Sequence, residues 1–203
     1  MNFKNTLILG SLICISVAGY SQEKGEQTAA AAASEKEQQE MAAWMAYMTP
    51  GDIHKMLEMA NGEWKEELTF WMEPGGQPTK SEATCVNTMI MGGRYQESIH
   101  KGDMMGMPFE GKGICGYDNA KKVLQSVWID NMGTGTTFLE GSFDPKTKTA
   151  TLTGTMVDPS TGKSEKVRQV MKFIDDKTQY LEMYITKNGK EFKNMEIKLT
   201  KLG

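Results

Sequence analysis

The residues with the clearest chemical potential fall in one short run, Ser126-Val127-Trp128-Ile129-Asp130. In an extended strand Ser126, Trp128 and Asp130 share a face, and Val127 and Ile129 take the other. An indole beside a carboxylate, just before the turn Asn131-Met132-Gly133, has two readings. It could line the mouth of a cavity, or Asp130 could cap the turn through its side chain. Arginine is scarce, occurring only as Arg94 and Arg168. A guanidinium at Arg94 could grip a ligand carboxylate in fork geometry, or pair with Glu97, Glu110 or Glu182. Tyr180, Glu182 and Tyr184 share a strand face and could supply polar partners inside a barrel or stand on an exposed surface. The residues nominated for ligand contact are Arg94, Trp128, Asp130, Glu182 and Tyr184.

Other chemistry is weaker. The methionines, 17 in all, include Met89, Met91, Met104, Met105, Met107 and Met132, which could offer thioethers to Cu(I). Their dispersal without accompanying histidines favours apolar packing. Cys85 and Cys115 could pair in an oxidising compartment or stay as buried free thiols, and their spacing matches no zinc ligand set. No Gly-x-Ser-x-Gly elbow, His-Glu-x-x-His or phosphate loop is present. No catalytic residue, metal ligand or cofactor is assigned, and the chain reads more readily as a binder than as an enzyme.

The elements that must position these residues are legible as punctuation. Lys4, the apolar run Leu7–Ala18 and the small or polar residues after it read as an export signal over residues 1–21, cut after Ser21 or, alternatively, Ala18. Ile13 before Cys14 argues against lipidation. Removing residues 1–21 takes away one lysine and no acid, moving the net charge from −3 to −4. That sign disfavours nucleic acid as a partner. No later stretch is apolar and long enough to span a membrane as a helix. Export and acidity together suggest a periplasmic or secreted bacterial protein.

Residues 22–36 lack packing side chains and read as a polar linker. Met41, Trp44, Met45 and Met48 then share one helical face over 37–48, a face that could dock on a second copy of the chain. Asp52 is placed to cap a second short helix carrying Ile53, Met56, Leu57 and Ala60, stopped by Asn61-Gly62, so that helices occupy 37–61. From residue 62 onward the pattern is β. Strands are expected near 63–72, 80–91, 94–101, 108–117, 122–130, 135–143, 148–157, 165–174, 178–187 and 191–201, separated by Gly, Asn and Asp-Pro turns. Connections this short demand antiparallel neighbours, and ten such strands tend to close. The expected fold is mainly β, an antiparallel up-and-down barrel over 62–203 preceded by two short helices.

Several local runs are distinctive in combination. They are Thr49-Pro50-Gly51 with His54-Lys55 and Leu57, Gly62-Glu63-Trp64, Phe70-Trp71-Met72-Glu73-Pro74-Gly75 and Gly92-Gly93-Arg94. Met105 to Gly111, Gly116-Tyr117-Asp118-Asn119, Trp128 to Gly135 and Glu182-Met183-Tyr184 complete the series. Together they resemble the bacterial family catalogued as domain of unknown function 1579, over roughly 37–203. The resemblance implies a calycin-like barrel, similar to lipocalins, fatty-acid-binding proteins and nitrobindins, and brings no activity with it. Gly62-x-Trp64 resembles the opening of calycin barrels, in which the Trp plugs one end under an arginine from the last strand. Here the last strand offers Lys193, Lys198 and Lys201. A haem barrel of nitrobindin type would need an inward histidine, for which His100 has the strand context and His54 the family pattern.

The expected function is that of an exported binding protein holding a small, partly apolar ligand inside the barrel. The alternatives are a small enzyme acting on a lipid-like or carbonyl substrate, and an interaction module docking through 37–48.

Overall fold

The structure, a computed structural model, describes residues 18–104 and 106–202, with side chains from residue 31 onward. The export signal read over 1–21 therefore lies outside the described residues as far as Val17. The described chain divides into a unit ending at Ala46 and a second beginning at Tyr47. The first is helical, and α1 spans Ala18–Met48. It runs through the segment read as a polar linker, because Ala, Glu, Gln and Lys are strong helix formers whether or not they pack. Among the described residues no helix is long and apolar enough to cross a membrane.

The second unit is a closed barrel of ten antiparallel strands in sequence order. They are β1 Gly62–Phe70, β2 Thr79–Ile90, β3 Tyr95–Met104, β4 Met107–Asp118, β5 Val123–Asp130, β6 Thr137–Asp144, β7 Thr149–Asp158, β8 Lys163–Phe173, β9 Thr178–Lys187 and β10 Lys190–Lys201. Each pairs with its successor, and β1 pairs with β10 from Trp64↔Lys201 to Phe70↔Met195. The expected strands are all present, with ends shifted by up to three residues. Four of the hairpins share one device, in which an aspartate at or just past the end of a strand turns its carboxylate back onto backbone N–H groups. Asp118 accepts from Ala120 and Lys121, Asp144 from Lys146, Asp158 from Ser160 and Asp175 from Lys177, all at 2.8–2.9 Å. Glycines at Gly141 and Gly154 let β6 and β7 approach where they pair, since a Cβ at either would meet neighbouring backbone at about 2 Å.

A helix α2, Asp52–Met59, covers the end of the barrel where the chain enters. It packs on β2, β3 and β4, with Leu57 buried among Leu124, Leu139, Ala150, Leu152 and Val167. Its N-cap is Gly51, with Asp52 already inside the helix. The expected Asp52 cap therefore does not form, and His54 Nδ1 reaches back to accept the Gly51 N–H at 3.0 Å. His54 is buried and edge-on to Tyr117. Burial chiefly holds its pKa below the ordinary 6.5, against the Tyr117 carbonyl and with a smaller push from Arg94.

The sign of the pH effect follows from that depressed value. The unfolded chain takes up the proton at higher pH than the folded one. The stability His54 contributes is therefore complete above about 6.5 and is lost as pH falls through its folded value. The urea midpoint is expected to drop over that window, and His54→Gln should flatten the drop.

The chain enters β1 through Gly62, whose φ of +116° a side chain would resist. Trp64 follows, completely buried, its indole N–H donating to the Ala60 carbonyl at 2.8 Å. Lys201 supplies the cation from the last strand. Its Nζ lies 5.5 Å from the Trp64 ring centroid and donates to the Met59 carbonyl at 3.2 Å. The arginine expected by resemblance is thus replaced in place by a lysine of β10.

Candidate functional site

Because side chains alternate across a strand, one set from each strand faces the interior. Near α2 that set is apolar and closed: Trp64, Leu124, Leu139, Ala150, Leu152 and Leu199 are all buried. Toward the opposite end the inward positions of β1, β2 and β10 stay buried at Leu68, Ala83 and Ile197, whereas those of β5 and β7 open. On β5 exposure rises from 2 % at Leu124 to half-buried Ser126, Trp128 and Asp130, and on β7 from 3 % at Leu152 to 38 % at Met156.

Within the buried side formed by β1, β2 and β3 lies a polar group. Glu66 on β1, Cys85 on β2 and His100 on β3 face one another, because Cys85 pairs with Trp64 and His100 in the adjoining ladders. Glu66 and Cys85 are each 1 % exposed. His100 Nδ1 lies 3.1 Å from both Glu66 oxygens, and its Nε2 lies 3.6 Å from Cys85 Sγ. Cys85 Sγ also lies 3.3 Å from Asn87 Oδ1, a geometry in which the thiol donates. The order carboxylate, imidazole, thiol is that of a nucleophile relay. Burial, reinforced by the Glu66 charge, pushes the Cys85 thiol far up, however, and so withholds the thiolate.

Trp128 roofs this group. Its ring meets His100 edge-on with centroids 4.9 Å apart, and stacks near Phe109 at 6.4 Å. Its indole N–H donates to Asp130 Oδ2 at 2.6 Å, while Asp130 Oδ1 accepts from the Met132 N–H at 2.9 Å. Asp130 thus caps the turn, one of the two sequence readings, and also holds the tryptophan beside it. The indole lies over β4, where Gly113 faces Trp128 and Gly111 faces Asp130 in the register. A Cβ at Gly111 would stand 2.4 Å from Trp128 Cζ2, so glycine there is a condition of the indole's position.

The other nominated residues lie elsewhere. Arg94 is in the turn at the α2 end, donating to the carbonyls of Met48 at 2.7 Å and Met91 at 3.2 Å. With Asn119, which donates to the Tyr47 and Thr49 carbonyls, it ties down the approach to α2. Glu182 and Tyr184 fall on the outward face of β9, opposite Leu181, Met183 and Ile185, which pack inward. Glu182 meets Lys172 and Lys193, and Tyr184 lies under Arg168, which makes a two-pronged contact with Glu191. Lys193 is shared with Glu196.

Of the five nominated residues the structure joins Trp128 with Asp130 inside the barrel and Glu182 with Tyr184 on its outer face, and leaves Arg94 apart from both. Glu66, Cys85 and His100 were not nominated as a group, and the available signal was tertiary. Only the strand register brings together residues 34 and 15 positions apart. Cys85 and Cys115 are both free.

The model of a family described as "Protein of unknown function (DUF1579)" matches residues 49–201. No curated protein matches the chain. Among solved structures, the crystal structure of Rv2717c from M. tuberculosis is similar over 76 % of this chain and 100 % of that one, with 13 % identity and a TM-score of 0.58. At that identity the likeness shows a shared barrel fold.

Proposed function

The chain belongs to the DUF1579 family, whose description assigns no activity, and we propose that it is an exported protein binding a small, partly apolar ligand in the barrel half remote from α2. The observation that carries this reading is the gradient along the inner faces of β5 and β7, from buried Leu124 and Leu152 to half-open Trp128, Asp130 and Met156. Phe109, Trp128 and Met156 would supply apolar contact, and Asp130 and His100 a small number of polar groups. That mixture is typical of pockets that select one orientation of an apolar molecule. Binding is preferred over the alternative of an enzyme acting on a lipid-like or carbonyl substrate, because the aligned thiol of Cys85 is kept protonated by burial.

Titration with anilinonaphthalene sulfonate, a partly apolar probe, tests the reading, alongside native mass spectrometry of the protein as purified. Saturable enhancement of the probe is expected. Gly111→Val should force Trp128 across the interior and weaken binding by about tenfold or more, equivalent to about 1.4 kcal/mol. Trp128→Phe, a gentler change, should weaken it less and leave the barrel's circular dichroism intact. A wild-type protein that neither binds the probe nor carries a ligand, or binding unaltered in both folded variants, would overturn the proposal.

A further inference from the structure

We infer that Glu66, Cys85 and His100 form a binding site for a single zinc ion, held by one oxygen, one sulfur and one nitrogen with the fourth position facing the barrel interior. The inference is separate from the ligand proposed above and does not require it.

The donor set comes first. Sulfur and imidazole with one carboxylate suit zinc, whereas calcium and magnesium take oxygen-only shells. One donor atom from each residue lies within 4.8 Å of the others. With bonds of about 2.0 to 2.3 Å, tetrahedral zinc ligands stand about 3.3 to 3.7 Å apart. The Sγ to Nε2 separation of 3.6 Å is already there, and Glu66 lies 3.1 Å from the other ring nitrogen. A turn of the imidazole about its Cβ–Cγ bond lets one nitrogen complete the set.

Charge and scaffold point the same way. Three adjacent strands of a closed barrel supply the donors, so their backbones are fixed before any ion arrives. Glu66 offers about four lone-pair positions, to which His100 can donate a single N–H from Nδ1. A dication balances one carboxylate and one thiolate, leaving a buried site neutral. On binding, the Cys85 S–H bond breaks, sulfur keeps the electron pair and bonds the metal, and the proton leaves to solvent. Three protein donors with one position left open distinguish a site that can take water or a ligand atom from a closed structural one.

The experiment uses the full chain, stripped with chelator, kept reduced and titrated with Co²⁺ alone and then Zn²⁺ alone. The expected result is one equivalent of Co²⁺ with a thiolate-to-cobalt band in the near ultraviolet and visible bands of tetrahedral intensity, displaced by Zn²⁺. Cys85→Ser should abolish the near-ultraviolet band. It should also weaken zinc binding by more than about tenfold, since even a ligand's outer partners are worth about ten- to a hundredfold. Cys115→Ser, which alters the free thiol of β4, should keep both. Should Cys85→Ser fail to fold, the wild-type spectrum still decides, since without a near-ultraviolet band or stoichiometric uptake the site does not exist. A band that survives in folded Cys85→Ser overturns the inference equally.

Discussion

Replacing Trp64 by alanine is expected to cost the barrel about 3–5 kcal/mol, the usual range for a buried aromatic truncated in a packed core. Three interactions end together in that substitution, and their magnitudes can be ordered. The indole is completely buried within the cluster of Leu68, Ala83, Cys85, Ile197 and Leu199, and the lost packing dominates. Its N–H bond to Ala60 is next, because the carbonyl left behind is a buried acceptor worth about 1–3 kcal/mol when orphaned. The Lys201 contact at 5.5 Å is smallest, at about 0.5–1 kcal/mol. Since a domain of this kind is stabilised by about 5–15 kcal/mol in total, Trp64→Ala should unfold at markedly lower urea concentration. Trp64→Phe should recover most of the packing and none of the hydrogen bond, and Lys201→Met should be nearly silent. Urea midpoints of the three variants check that order, and a Lys201→Met loss equal to Trp64→Ala would contradict it.

His100→Ala is the second large effect expected, at about 3–5 kcal/mol, the cost of removing one partner of a buried hydrogen-bonded pair that includes a carboxylate. Glu66, 1 % exposed, would lose the imidazole that serves both of its oxygens. The edge contact with Trp128 adds about 0.5–1.5 kcal/mol more, so desolvation of the carboxylate outweighs the aromatic term. The two causes separate in a double variant. Glu66→Leu combined with His100→Ala removes the stranded charge and should be more stable than His100→Ala alone. Trp128 fluorescence should shift in both. A double variant less stable than the single one would mean that the packing around His100, and not the buried charge, sets the cost.

Much of this architecture is written locally. Asp118, Asp144, Asp158 and Asp175 mark hairpins because the carboxylate and the turn lie within three residues of each other, so the chemistry and its spacing are both visible in the chain. Trp128 and Asp130 were legible for the same reason, being two residues apart on one face. Asp52 is not the cap it resembles, since the helix begins one residue earlier with Gly51 as N-cap, and His54 instead accepts the Gly51 N–H. The segment 22–36 is helical although it lacks packing residues, because absence of packing residues says little about helix propensity when alanine is abundant.

Arg94, Glu182 and Tyr184 could not be placed without knowing the register, because rarity of a residue type carries no direction. The pairing of Gly111 and Gly113 with the Trp128 strand was available in principle, as two glycines at alternate positions on a neighbouring strand leave room for one indole. The group of Glu66, Cys85 and His100 had no such local trace. Its members are brought together by three strands that the sequence separates with one long hairpin loop and one tight turn.

The seam between β1 and β10 has a consequence for the order in which the chain acquires its structure. Nine of the ten strand pairings join neighbours in sequence and can form as short hairpins. The tenth joins Trp64 to Lys201, and Glu63 to Leu202 through an N–H···O bond of 2.8 Å, across almost the whole domain. Closing so long a loop costs entropy without local reward until the final strand docks, which makes the seam the slow, late event. On a chain growing from its N-terminus, β1 must wait with one edge unpaired until the last dozen residues arrive. Until then both free edges are open to other strands. The half-made sheet is therefore the species most exposed to mispairing, and the C-terminal strand is the element that ends that exposure.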